Sequence, residues 1–173
     1  LGNKVTVKDR LDLTSFECVT IDPETARDYD DAISLTQDDA GNYHLGVHIA
    51  DVAHYVRPGS HLDTEAYERC NSTYFPGECL PMLPEELSNE LCSLKPKVIR
   101  LTQSVLATFN AQGDLISYEI KRAAIKSRKR FTYQEAMAVL EKKERSPYLP
   151  VLERMVALCH VLKKRRFERG SID

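Results

Sequence analysis

No run of apolar residues in this 173-residue chain approaches the ~18 that a membrane span needs, and no charged-then-apolar leader opens it. Neither membrane insertion nor secretion is expected. Paired cysteines are missing too. The five present, Cys18, Cys70, Cys79, Cys92 and Cys159, form an odd set without a C-x-x-C spacing, which argues against a disulfide framework or zinc knuckle and for reduced thiols in a cytoplasmic protein. Internal repeats, low-complexity tracts and interior linkers are absent, so one folding unit is predicted. The 42% hydrophobic and 29% charged content suits one sizeable core under a solvated surface.

What is present is a lopsided distribution of charge. The overall net of −2 conceals residues 1–120 with 9 basic and 20 acidic side chains, a net of −11, and residues 121–173 with 15 basic and 6 acidic, a net of +9. An acidic part suited to cations precedes a basic part suited to phosphates. Lys121, Arg122, Lys126, Arg128, Lys129 and Arg130 make one basic cluster, for which contact with a polyanion is favoured. For the second, Lys163, Lys164, Arg165 and Arg166, simple complementation of a helix C-terminus stands equally beside phosphate contact.

The acidity concentrates in Ile21-Asp22-Pro23-Glu24-Thr25-Ala26-Arg27-Asp28-Tyr29-Asp30-Asp31-Ala32, where four aspartates fall within ten residues. Carboxylates this close raise one another's pKa and repel, so a fold keeps them chiefly where a cation neutralises them. The donors are all oxygen, with no Cys in the run and no His within a turn of it, which favours Mg²⁺ or Mn²⁺ over Zn²⁺. A Ca²⁺ loop starting at Asp28 fails the EF-hand template, because the fifth position is Ala32, the glycine slot is Ile33 and the bidentate Glu slot is Asp39. A merely solvated acidic turn is disfavoured by the flanks. Phe16–Ile21 and Ala32–Thr36 alternate as half-buried strands, and Pro23 biases Asp22 towards extended backbone, so the aspartates sit on a short connection between core strands.

These residues, with His48-Ile49-Ala50-Asp51-Val52-Ala53-His54-Tyr55-Val56, closely resemble the first half of the catalytic domain of the ribonuclease II/ribonuclease R (RNB) family of exoribonucleases. Pro58-Gly59-Ser60, Ser72-Thr73-Tyr74-Phe75-Pro76, Pro81-Met82-Leu83-Pro84, Leu87-Ser88-Asn89-Glu90-Leu91-Cys92-Ser93-Leu94, Arg130-Phe131-Thr132-Tyr133 and Arg169-Gly170-Ser171-Ile172-Asp173 are similar to the family in order and approximate spacing. The resemblance implies a processive hydrolase that degrades single-stranded RNA from its 3′ end to nucleoside 5′-monophosphates. Asp22, Asp28, Asp30 and Asp31 match its four catalytic aspartates, jointly holding Mg²⁺ (or Mn²⁺), with Asp30 the most critical for chemistry. Two such ions generate the nucleophile and stabilise the attacking and leaving oxygens.

Tyr74 matches the family tyrosine that packs near the 3′-terminal nucleotides, a role suited to a ring that stacks on any base; a core tyrosine beside Pro76 is the alternative. Tyr133, Arg128, Lys129 and Arg130 are further candidate RNA contacts. Thr132 and Glu135 form a capping box, so Tyr133 can equally occupy the first turn of a helix. His48-x-x-Asp51-x-x-His54 invites a metal-ligand reading that alternation opposes. Leu45, Val47 and Ile49 share one strand face and His48 lies on the other, so His48 and Asp51 are expected behind the metal ligands, His48 hydrogen-bonded and backing an aspartate.

The fold expected is α+β, a mixed and barrel-like sheet with peripheral helices, forming part of a catalytic domain. A flexible lead-in covers residues 1–12 and the domain portion residues 13–173. Strands are predicted at 16–21, 33–36, 43–52, 101–110 and 115–125, and helices at 61–70, 84–91, 133–143 and 150–168, with a proline-rich loop through Pro76, Pro81 and Pro84. Since an RNB catalytic domain is longer than this chain, the resemblance implies a fragment of a monomeric enzyme whose full length carries flanking cold-shock-like and S1 domains. A catalytically silent RNA- or metal-binding module is the other reading. An aspartate phosphatase, suggested by Asp28-x-Asp30, is a weaker third.

Overall fold

The computed structural model describes residues 7–172. In chain order the strands are β1 (Leu11–Leu13), β2 (Cys18–Asp22), β3 (Asp31–Gln37), β4 (Tyr43–Ala50), β5 (Thr73–Phe75), β6 (Glu78–Leu80), β7 (Ile99–Phe109), β8 (Leu115–Lys126) and β9 (Lys129–Thr132). The helices are α1 (Val52–Tyr55), α2 (His61–Arg69), α3 (Tyr133–Leu140) and α4 (Leu149–Glu168), and Glu86–Leu91 is π-helical. None of these helices is long and apolar enough to cross a membrane.

Seven strands form one sheet in the order β1-β8-β7-β4-β3-β2-β9, antiparallel inside and parallel at both edges. Chain connectivity forces this sheet to curl. Five strand spacings separate β8 from β9 and would span about 24 Å if flat, whereas the chain from Lys126 to Lys129 reaches at most about 11 Å. The connection is fastened where it crosses, Arg128 N–H donating to the Cys18 carbonyl at 2.8 Å. This is the mixed, barrel-like α+β architecture expected from the sequence.

Alternation along β2 divides the core in two. Cys18 packs inside with Leu13, Ala32, Ala50, Ala123 and Ile125, while Val19 packs outside against Phe131, Val139 and Leu152 of β9, α3 and α4. Thr20 and Asp22 follow Cys18 by the two-residue period. Phe131 is 2% exposed, so its truncation to Ala should cost about 3–5 kcal/mol. Helix α3 starts where the sequence predicts, because Thr132 Oγ1 accepts from Glu135 N–H and Glu135 accepts from Thr132 N–H.

Four expectations change. Of the flexible lead-in over 1–12, residues 1–6 lie outside the described residues, but Leu11 and Asp12 pair with Ala123 and Ala124 in β1. The proline-rich loop contains the β5–β6 hairpin, with Tyr74 opposite Cys79 and the turn made by Gly77 at φ +83°. The basic stretch 129–130 belongs to β9, a strand too short and too charged to show alternation. The predicted strand 43–52 also ends early, its last residues turning into α1.

Candidate functional site

The aspartate loop leaves β2 at Asp22 and returns in β3 at Asp31, and neighbouring elements hold it along its length. Ser93 Oγ donates to the Arg27 carbonyl at 2.9 Å and accepts from Tyr29 N–H at 3.0 Å. Leu94 N–H donates to the Tyr29 carbonyl at 2.8 Å, and Ala50 N–H to the Asp30 carbonyl at 2.9 Å. From the other side Arg130 donates to the carbonyls of Pro23 and Glu24 at 2.6 and 3.1 Å, its guanidinium lying 5.5 Å from the Tyr29 ring centre. The loop is thus locally ordered by backbone bonds while its carboxyls stay available.

A cleft of about 950 Å³ opens beside this loop, with Asp28, Asp30, Ile49 and Ala50 among its lining residues and Tyr74 and Phe75 of the β5–β6 hairpin among the others. Tyr74 is 73% exposed, which excludes the core-tyrosine alternative. Asp22 lies buried at the end of β2 and Asp31 is exposed at the start of β3. Burial pushes the Asp22 carboxyl up, and Asp31 and Asp28 push it further against the pull of Thr20 and Arg130. Desolvation likewise pushes Asp30 up, reinforced by Asp28, Asp31 and Asp22.

The four carboxyls therefore feel one another, and Asp22 Oδ2 is buried without a hydrogen-bond partner. A buried orphan oxygen costs about 1–3 kcal/mol or more when charged, and a cation would remove that cost. The all-oxygen donor set and this orphan fit a hard divalent ion. Even so, among the described residues no three His, Cys, Asp or Glu side chains already stand together as a metal-holding group. Convergence of the four is incomplete in this conformation.

Other predicted residues are placed elsewhere. His48 is fully buried inside the barrel, with Nε2 2.9 Å from Ser34 Oγ and Nδ1 2.8 Å from Ser104 Oγ. Both ring nitrogens are on hydroxyls, so it backs no aspartate. Burial lowers its pKa to about 4. Asp51 is buried against Arg10 at 2.6 Å and Arg122 at 3.6 Å, so its carboxylate is taken up by these two cations. Burial alone would raise its carboxyl, but the hydrogen bond and charge of Arg10, with Arg122, hold it below the usual range.

Among the described residues lining the cleft, neither Tyr133 nor Arg128, Lys129 or Arg130 is present. Tyr133 is an exposed first residue of α3. Arg128 donates to the carbonyls of Thr14 and Ser15, and Lys129 sits 3.6 Å from Glu135. Together with the Arg130 contacts, these bonds have Arg128 and Arg130 hold a crossing and the aspartate loop, while Lys129 stays partly exposed beside Glu135. In the second cluster Arg165 pairs with Asp114 at 2.6 Å. The sequence reading missed Ser93 and Arg10, although Ser93 lies in a segment that already carried the resemblance.

The acidic loop and the aromatic hairpin thus line one cleft of an α+β barrel. The sequence matches the RNB domain over residues 10–173, and the chain belongs to that family. It is 55% identical over 163 residues to the ribonuclease R of Chlamydia pneumoniae, covering 94% of this chain and 24% of the relative. The ribonuclease R of Aquifex aeolicus is 45% identical over 173 residues, covering 96% and 24%. The structure superposes with a TM-score of 0.91 on Mycoplasma genitalium RNase R in complex with ribose-methylated single-stranded RNA, at 37% identity, covering 96% of this chain and 26% of that one. The chain thus spans about a quarter of the length of the curated relatives it matches.

Proposed function

We propose that this chain supplies the aspartate-bearing wall of the catalytic centre of an exoribonuclease that hydrolyses single-stranded RNA from its 3′ end to nucleoside 5′-monophosphates with Mg²⁺ or Mn²⁺. The observation that carries the reading is the placing of Asp28 and Asp30 on the same cleft as the exposed rings of Tyr74 and Phe75. An aromatic hairpin offers π-faces to bases without reading sequence, at about 1–3 kcal/mol per stacked base.

Asp22, Asp28, Asp30 and Asp31 would hold the divalent ions, which when bound activate water and stabilise charge on the phosphodiester oxygens. Asp28 and Asp30 orient the cleft side of that site, the backbone bonds from Ser93, Leu94 and Ala50 fix the loop between them, and Asp22 contributes its unpartnered oxygen from within the barrel. Tyr74 holds the terminal base across the cleft, so that the scissile bond is presented to the acidic wall.

A catalytically silent RNA- or metal-binding module is the second reading, favoured by the incomplete convergence of the carboxyls. Incubating the chain, and the longer protein that contains it, with 5′-labelled single-stranded RNA and Mg²⁺ distinguishes the two. Stepwise shortening from the 3′ end in the longer protein supports the exoribonuclease reading, and intact RNA in both supports the silent module.

A further inference from the structure

Asp28 is flanked by two residues whose backbones are held by one side chain. Ser93 Oγ donates to the carbonyl of Arg27 and accepts from the amide of Tyr29, bridging the residue before Asp28 to the residue after it. Leu94 N–H adds a bond to the Tyr29 carbonyl. Ser93 is wholly buried and is itself held, its carbonyl accepting from Arg100 Nε at 2.9 Å while Arg100 Nη2 donates to the Glu90 carbonyl at 2.8 Å. Arg100 is buried too, at 7% exposure, with its hydrogen bonds going to the backbone carbonyls of Ser93, Ile99 and Glu90.

A buried guanidinium is costly to desolvate and persists only where its donors are met. Here they fasten the end of the π-helical segment, and through Ser93 that segment reaches the aspartate loop. Between Pro23 and Asp30 the loop has no strand or helix of its own, so the direction in which Asp28 projects depends on these external bonds. Carboxylates that hold a metal are oriented by the groups bonded behind them, and losing such a group typically weakens metal binding 10–100-fold.

We propose that Ser93, held in place by Arg100, is a positioning residue that sets the orientation of Asp28 at the cleft and thereby the affinity of the acidic site for divalent ions. This rests on the metal-holding reading of Asp28 given above. Ser93 touches no substrate. Its hydroxyl acts only through the backbone on either side of Asp28.

The test is calorimetric titration of the full chain with Mn²⁺, with amide hydrogen exchange at Tyr29 as a second readout. Ser93→Ala should weaken Mn²⁺ binding by about 10–100-fold and speed exchange of the Tyr29 amide, which loses its acceptor. Ser34→Ala is the control, since it deletes a buried hydroxyl of the same barrel, bonded to His48, that does not touch the loop. It should leave Mn²⁺ affinity and Tyr29 exchange unchanged. Should Ser93→Ala fail to fold, Ser93→Cys keeps the volume with only weak hydrogen bonding and takes the same measurements. Wild-type affinity in the Ser93 variant, or equal weakening in Ser34→Ala, overturns the role of Ser93 alone. Absence of Mn²⁺ binding by the wild-type chain overturns the metal reading itself, and the positioning role with it.

Discussion

Arg10 and Asp51 form an ion pair at 2.6 Å in which both side chains are almost wholly buried, at 3% and 2% exposure. Arg10 also approaches the carbonyls of Thr102 and Ala123 at 3.4 and 3.5 Å, so one side chain just ahead of β1 ties that strand to β7, β8 and the start of α1. Removing one partner of a buried pair leaves an uncompensated charge. Arg10→Ala should therefore destabilise the chain by about 3–5 kcal/mol, measured as a shift in urea midpoint, and a loss under about 1 kcal/mol would show the pair to be dispensable. Because Asp51 is held below the usual carboxylate range, its contribution is complete above the unfolded value near 4 and is lost as pH falls through the lower folded value.

His48 gives a second pH dependence in a different window. Its folded pKa of about 4 lies below the ordinary 6.5, so the unfolded chain takes up the proton first as pH falls. Stability is full above 6.5 and declines towards 4, by at most about 1.4 kcal/mol per pH unit. Urea unfolding at pH 7 and pH 5 should show this loss in the wild type and a smaller one in His48→Gln. Equal losses in both would mean that another group carries the dependence.

Tyr74 separates substrate contact from folding. Because its ring is 73% exposed, Tyr74→Ala should change the stability of the chain by no more than about 0.5 kcal/mol. In the longer protein the same change should weaken the grip on short oligonucleotides by about 1–3 kcal/mol and lengthen the final products, while Tyr74→Phe behaves like wild type. Unaltered product length in Tyr74→Ala contradicts the stacking role.

Much of this arrangement was legible in the sequence because its signals are local. The alternation in Cys18–Asp22, Asp31–Gln37 and Tyr43–Ala50 and the Thr132–Glu135 capping box each depend on residues close together in the chain. What stayed hidden depends on distant pairings. β1 and β9 are edge strands of three and four residues joined in parallel to β8 and β2, and nothing in so short a segment announces a partner about 110 residues away. The same holds for side chains. Arg128 and Arg130 read as a phosphate-binding cluster because charge is visible in sequence, whereas the carbonyls of Thr14, Ser15, Pro23 and Glu24 that they hold are more than 100 residues away. Ser93 carries no charge or spacing that marks it, and only the fold brings it to the aspartate loop.

The acidic loop itself is tested most directly by Asp30→Asn in the longer protein, with RNA binding and hydrolysis measured on the same single-stranded substrate. The change keeps the size of the side chain and deletes one charge from the cleft wall. Hydrolysis at saturating Mg²⁺ should fall by orders of magnitude, while the dissociation constant for RNA, set by the aromatic hairpin and other contacts, stays within a few-fold of wild type. Turnover close to that of the wild type would contradict the account.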